Sequence, residues 1–158
     1  MSTKPYESPH VADTASELFD RGYNCAETMV LALSPANART PEDIQRAATA
    51  LGGGVARAGL TCGCITGAAI AVGLRLGRTS PDDSDAKELA YRVMGNVVRR
   101  FEAAFGTTDC RKLTGLDFNQ ENPQEELDRV HREVCAKLVR FVAETATEEI
   151  AAVESERG

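Results

Sequence analysis

Five cysteines are the residues of this chain whose type and spacing could do chemistry. They occupy scattered positions: Cys25, Cys62, Cys64, Cys110 and Cys135. Their number is odd, and a chain of 158 residues can bury a core without disulfide staples. The pattern therefore favours thiols that act in redox chemistry or bind a metal over structural disulfides.

Three of the cysteines are predicted to lie at the N-terminus of a helix. Cys25, Cys62 and Cys110 each follow a residue that commonly caps helices, namely Asn24, Thr61 and Asp109. Free backbone N–H groups and the positive end of the helix dipole stabilise a thiolate there, which favours nucleophilic attack and metal ligation. A cysteine can also be simply a small buried residue, but three equivalent positions favour a functional site.

A single glycine separates Cys62 from Cys64. Side chains two positions apart in a regular helix point in opposed directions, so these thiols can share a metal or a disulfide only if Cys62 lies at the cap and Gly63 bends the chain. The alternative is one functional thiol beside one core cysteine.

A second candidate pair lies near the C-terminal end of the chain. Cys135 follows His131 by one helical turn, and the two could present a thiolate and an imidazole to one site. A single histidine on a helix is more often solvated or capping, so this pair is weaker evidence for a ligand set.

Several cofactor motifs are missing from the sequence. It contains no Cys-x-x-Cys pair of a thioredoxin or zinc ribbon, no Cys-x-x-Cys-His that would attach haem c, and no clustered ferredoxin run. The glycines of residues 52–59 lack the Gly-Lys-Ser/Thr ending of a P-loop and the spacing of a dinucleotide fingerprint. They indicate a helix stop followed by a tight turn that contains Arg57.

Residues 59–75 are predicted to hold the central helix that positions these groups, which follows a turn at residues 55–60 and lasts until about Gly77. No charged residue occurs over residues 61–74, and the small residues Gly63, Gly67 and Ala71 recur every four positions. On a helix they make one smooth stripe that other helices can approach closely. A run of roughly 14 residues is too short to cross a bilayer, which needs ~20, so we expect the helix to be covered by protein.

Helical patterns account for most of the remaining chain. They predict helices from Val11 to Gly22, from Cys25 to Pro35, from Thr40 to Leu51, from Ser80 to Gly106, a single turn from Cys110 to Gly115, and a last helical region after Pro123. Because sustained period-two alternation is absent, the fold is predicted to be all-α, a compact bundle around the central Gly/Ala-rich helix. We expect one helical redox domain over residues 11–152, with tails at 1–10 and 153–158.

Composition argues against several classes of partner. The net charge is −6 and the isoelectric point is near 5.0, which argues against nucleic acid and anionic membrane surfaces. No segment has the apolar length of a targeting or membrane element, so the expected location is the cytoplasm.

Four blocks of sequence resemble a known family, in the same order. They read GYNCAE at 22–27, GGGV at 52–55 with CGCITGA at 62–68, FGTTDCRKLTG at 105–115, and VCAKLV at 134–139. Together they extend from about Leu18 to Val142 and resemble the C_GCAxxG_C_C family of small proteins described as redox-active. A related domain occurs in split-Soret cytochromes, whose haem motifs this chain lacks.

The resemblance assigns the family's four cysteines to Cys25, Cys62, Cys110 and Cys135. The family usually has alanine where this chain has Cys64. Three roles stay open for this extra thiol: a fifth metal ligand, a built-in thiol partner, or neither.

The resemblance and the thiols together favour a redox protein in which the four family cysteines converge at the starts of helices. There they would bind an iron–sulfur cluster for electron transfer, with Cys64 as a spare or additional ligand. A first alternative is a metal-free thiol oxidoreductase in which Cys62 and Cys64 are the reacting pair. A second is a structural zinc protein. The electron-transfer partner is unspecified, and a homodimer is possible.

Overall fold

Capping residues and glycines set the bounds of most helices in the computed structural model, which describes residues 8–35 and 40–158. The α-helices are α1 (Ser8–Asp20), α2 (Cys25–Leu33), α3 (Pro41–Ala48), α4 (Gly63–Leu76), α5 (Ser84–Phe105), α6 (Cys110–Thr114), α7 (Gln124–Val130) and α8 (Ala136–Arg157). A 3₁₀-helix (Thr49–Leu51) follows α3, and a π-helix (His131–Cys135) joins α7 to α8. No strand occurs in the described part of the chain, so the all-α prediction is confirmed.

Helix α2 shows how local sequence sets a boundary. The side chain of Asn24 accepts a hydrogen bond from the N–H of Glu27 at 2.9 Å, and the N–H of Asn24 donates to Oε2 of Glu27 at 2.9 Å. This capping box satisfies two N–H groups that the first turn of a helix leaves without partners. It also fixes Cys25 as the first residue of the helix, as predicted.

Helix α4 packs against α2, α5 and α8, and the stripe of small residues faces α2. A Cβ atom built on Gly67 would lie 2.5 Å from the carbonyl oxygen and 2.8 Å from the Cα of Ala26. The backbones therefore touch where only glycine fits, which confirms the central helix. Its opposite face is open, because Gly73 is exposed and meets no atom within 4 Å.

The main core lies between α1, α2, α4, α5 and α8. Its largest fully buried side chains are Met29, Leu33, Val97, Phe101, Val139 and Val142. None of the helices over residues 8–35 and 40–158 combines the length and the apolar content that a membrane span requires.

Several helix bounds differ from the prediction, and those of α5 and α8 show why. Helix α1 begins at Ser8 rather than Val11, and α3 ends at Ala48, before the 3₁₀-helix that reaches Leu51. Helix α5 begins at Ser84 rather than Ser80, because the carboxylate of Asp83 accepts the hydrogen bond from the N–H of Ala86 at 3.0 Å and so caps the helix. Helix α8 continues to Arg157, through residues assigned to a C-terminal tail, because Val153 is buried against the core.

The N-terminal tail is described only in part. Helix α1 begins at Ser8, inside the segment 1–10, whereas residues 1–7 lie outside the described residues.

Candidate functional site

The five cysteines come from four elements and meet at one place. Cys25 begins α2, Cys62 and Cys64 flank Gly63 at the start of α4, Cys110 begins α6, and Cys135 ends the π-helix. All five are free thiols. Cys62, Cys64 and Cys110 are buried, while Cys25 and Cys135 are half-buried. Each of Cys110 and Cys135 lies close enough to Cys25 and Cys62 for their charges to raise its pKa.

The packing of α4 on α2 brings Cys64 next to Cys25 and Cys62. A Cβ atom on Gly63 would collide with Sγ of Cys25, so the absence of a side chain there lets the two helix starts approach. The Cys64 thiol forms hydrogen bonds with both Cys25 and Cys62. Cys64 thus sits behind Cys25, with 1% of its surface exposed.

The proximity of Cys64 to Cys25 gives these two thiols different pKa values. Donation from the S–H of Cys64, helped by the backbone N–H groups of Gly53 and Ala26, lowers the pKa of Cys25 to about 7 although burial opposes the shift. The pKa of Cys64 is raised well above 9.0, because its single S–H proton is shared with the sulfurs of Cys25, the larger cause, and Cys62, and because the thiol is buried. At neutral pH the chain can hold one thiolate at Cys25 beside a protonated Cys64.

Two further thiols, Cys110 and Cys135, are held neutral. Burial is the main cause that raises the pKa of Cys110 to about 12, and the charges of Cys62 and Cys25 add to it. Burial and the charges of Cys25, Cys62 and Cys110 likewise raise the pKa of Cys135 to about 12. The site cannot accumulate several thiolates unless a cation compensates them.

A short backbone pairing brings Cys62 and Cys110 together. The N–H of Cys62 donates to the carbonyl of Thr108 at 2.7 Å, and the N–H of Cys110 donates to the carbonyl of Leu60 at 2.7 Å. These bonds flank an isolated β-bridge between Thr61 and Asp109. The prediction that Thr61 caps α4 is therefore wrong: Thr61 is engaged in the bridge, and Cys62 itself is the N-cap, without a side-chain capping bond.

Cys135 directly precedes α8, the helix start at which the sequence predicts it, but this start is not a free helix end. It lies inside a continuous helical stretch from Gln124 to Arg157, at the end of the π-helix that begins at His131. A π-helix takes more residues per turn than an α-helix and commonly marks a functional site. Here both His131 and Cys135 face the cavity described next, and the His131 ring stacks on Phe19 with centroids 4.1 Å apart.

A cavity of about 580 Å³ lies beside the sulfurs. Its lining comprises Phe19, Asn24, Cys25, Thr49, Gly52, Gly53, Ala56, Arg57, Cys110, Phe118, Leu127, Val130, His131 and Cys135. Cys25, Cys110 and Cys135 are on its surface, whereas Cys62 and Cys64 lie behind them. A small molecule that enters the cavity can therefore reach Cys25 before it reaches Cys64.

A left-handed turn forms one wall of this cavity. Gly53 and Gly54 are followed by three residues other than glycine with positive φ: 63° at Val55, 50° at Ala56 and 66° at Arg57. Such a conformation costs a residue with a side chain roughly 1–2 kcal/mol. Hydrogen bonds compensate, among them the N–H of Ala56 to the carbonyl of Ala50 at 2.8 Å.

This turn directs the N–H of Gly53 at Cys25 and places Arg57 at the cavity. The glycines of this segment predict a tight turn, but not its role in the site. The run of three glycines before the cysteine pair was the available signal.

The sulfurs of Cys25, Cys110 and Cys135 are spread over the lining of the cavity rather than gathered at a single point. Within residues 8–35 and 40–158, no three His, Cys, Asp or Glu side chains are close enough together to hold one metal ion as they stand. The arrangement brings all five predicted cysteines to one site and adds Arg57 and the Gly53 N–H, while His131 joins it as a lining residue.

The fold and the site together define an all-α protein with a cavity lined by free thiols. The chain matches the family described as "Putative redox-active protein (C_GCAxxG_C_C)" over residues 23–149. Because this match covers most of the 158 residues, the chain belongs to that family, which confirms the resemblance seen in the sequence. Comparison with curated proteins and with solved structures gave no match.

Proposed function

We propose that this redox-active protein binds an iron–sulfur cluster through Cys25, Cys62, Cys110 and Cys135 and uses it for electron transfer. The observation that carries the proposal is the convergence of these cysteines from four separate elements: Cys25, Cys110 and Cys135 line one cavity, and Cys62 lies behind them. Such a cluster, when bound, supplies a one-electron carrier. The reducing cytoplasm is the location that would keep the five thiols available for it.

The chemistry of the donor set supports this proposal. Cys110 and Cys135 have pKa values near 12, so four thiolates at neutral pH require positive charge at the centre of the site. Hydrogen bonds from backbone N–H groups to sulfur tune iron–sulfur sites, and the N–H groups of Gly53 and Ala26 already point at Cys25.

A structural zinc ion is less well supported. Zinc takes four ligands at about 2.3 Å from sulfur, which requires the ligand atoms to surround one point. Cys25, Cys110 and Cys135 instead line a cavity of about 580 Å³, which favours a group larger than one ion.

A thiol oxidoreductase is the second candidate, and the contact between Cys25 and Cys64 favours it. In this reaction the Cys25 thiolate attacks one sulfur of a disulfide, the S–S bond breaks, and the first thiolate leaves and takes up a proton. Cys64 then loses its proton and attacks Sγ of Cys25, which expels the second thiolate. The substrate is reduced to two thiols, and the protein is oxidised to a Cys25–Cys64 disulfide. The contact therefore suggests Cys25 and Cys64, rather than Cys62 and Cys64, as the reacting pair.

The test is the metal content of protein purified without oxygen. We expect a brown protein with iron, acid-labile sulfide and sulfur-to-iron charge-transfer absorption. Replacing Cys25, Cys62, Cys110 or Cys135 with serine should remove most of the iron, while Cys64→Ala should retain it. Stoichiometric zinc in colourless protein would refute the cluster. The thiol alternative would be established by colourless, metal-free protein that reduces small disulfides. The Cys64→Ala variant should then lack this activity.

A further inference from the structure

The charge of the cavity contrasts with that of the chain. The sequence has 24 Asp and Glu against 18 Lys and Arg. Among the described residues that line the cavity there is no Asp or Glu, and Arg57 is the permanent charge. A cationic lining in an acidic protein attracts anions to the cavity and away from the rest of the surface.

The other polar side chains at the cavity are already occupied. Nδ2 of Asn24 donates to the carbonyl of Thr49 at 3.0 Å, and Oγ1 of Thr49 donates to Oε1 of Glu27 at 2.8 Å. In the described part of the chain, by contrast, no carboxylate lies within 4.0 Å of the Arg57 guanidinium, and the ring nitrogens of His131 make no hydrogen bond. Arg57 and His131 hold the hydrogen-bonding capacity that remains for a ligand.

The backbone fixes Arg57 at this position. Its φ of 66° belongs to the left-handed turn, its N–H donates to the carbonyl of Gly52 at 3.1 Å, and its carbonyl accepts a hydrogen bond from Nδ2 of Asn119 at 3.0 Å. Strained backbone that the surroundings hold in place is typical of ligand sites. The remaining lining next to it is apolar: Phe118, Leu127 and Val130.

We propose that the cavity binds a small organic anion, with its charged group at Arg57 and His131 and its apolar part against Phe118, Leu127 and Val130. The volume of about 580 Å³ suits a small molecule. The bound anion lies next to the thiols of Cys25 and Cys135. This inference goes beyond the proposed function and does not rest on it, because it concerns the cavity in protein that carries no cluster; a cluster held by Cys25, Cys110 and Cys135 would take up the same space.

The test compares two alkylating reagents of similar size, anionic iodoacetate and neutral iodoacetamide. Each forms an S–C bond with a thiolate as the C–I bond breaks and iodide leaves. Labelling of Cys25 and Cys135 is followed by peptide mass spectrometry on the full-length reduced protein, both as purified without oxygen and after treatment with a chelator. We expect Arg57→Gln to lower the ratio of the iodoacetate rate to the iodoacetamide rate by about three- to tenfold, an effect that added salt should reduce.

Arg46→Gln is the matched control, since it removes the same charge from an exposed residue of α3 outside the cavity lining. It should keep the wild-type ratio, and Arg57→Lys should restore most of it. Benzoate should slow labelling of Cys25 by iodoacetamide more than neutral benzamide does. Three outcomes would overturn the proposal. The ratio could be equal in Arg57→Gln and wild type, or it could fall equally in Arg57→Gln and Arg46→Gln. The third outcome is that neither cysteine is labelled in either preparation. Circular dichroism checks that each variant is folded.

Discussion

One methyl group at Gly63 would test whether the packing of α4 on α2 sets the chemistry of Cys25. Its Cβ would overlap Sγ of Cys25 and lie 3.2 Å from the amide nitrogen of Ala26 and 3.3 Å from the carbonyl oxygen of Leu51. Overpacking costs ~1–3 kcal/mol, and alanine returns at most ~1 kcal/mol of helix propensity. We therefore expect Gly63→Ala to lower the free energy of unfolding by about 1–2 kcal/mol, or the melting temperature by roughly 2–8 °C.

The same change should raise the pKa of Cys25. Moving Sγ of Cys25 away from the Cys64 thiol removes the largest cause that lowers this pKa from 9.0 to about 7. Full reversal would reduce the thiolate at pH 7 from about half of the molecules to about one in a hundred. The measurement is the rate of Cys25 alkylation by iodoacetamide against pH, in reduced, metal-free protein.

Gly73→Ala is the matched control on the same helix. A Cβ at Gly73 meets no atom within 4 Å, so this variant should gain up to ~1 kcal/mol of stability and leave the pKa of Cys25 unchanged. If Gly63→Ala behaved like Gly73→Ala in both measurements, the contact between the two helix starts could not be what sets the acidity of Cys25.

Three further predictions follow from packing, titration and strain. Gly67→Ala should lower the melting temperature despite its better helix propensity, because the backbone of Ala26 cannot move aside. For the same reason Gly67→Leu should prevent soluble expression. A Gly67→Leu protein that melts like wild type would disprove the buried helix. Burial raises the pKa of Cys110 and Cys135 from 9.0 to about 12, so the stability they give to metal-free protein is complete below pH 9 and is lost as the pH rises towards 12. Urea unfolding at several pH values should show this loss, and serine at both positions should reduce it. Val55→Gly should raise the free energy of unfolding by about 1 kcal/mol, since glycine adopts the φ of 63° without strain; a loss of stability would show that the Val55 side chain is needed.

The sequence by itself determined the elements whose signals are local. Asn24 and Asp109 were identified as caps because a capping bond joins residues three apart, here to the N–H groups of Glu27 and Lys112. Gly106 was identified as the end of α5 because a left-handed residue terminates a helix wherever it occurs. Cys25 and Cys110 were placed correctly for the same reason, and the spacing of small residues predicted the face of α4 that meets α2.

Only the tertiary structure decided how the site is assembled. Cys64 meets Cys25 because two helix starts from distant parts of the chain pack together over Gly63, a contact that no local pattern encodes. Cys62 became the cap of α4 because the pairing of Thr61 with Asp109 fixed the backbone before it. The left-handed turn that carries Arg57 runs against the intrinsic preference of residues with side chains, so it persists only where surrounding hydrogen bonds, such as that from Asn119, outweigh local strain.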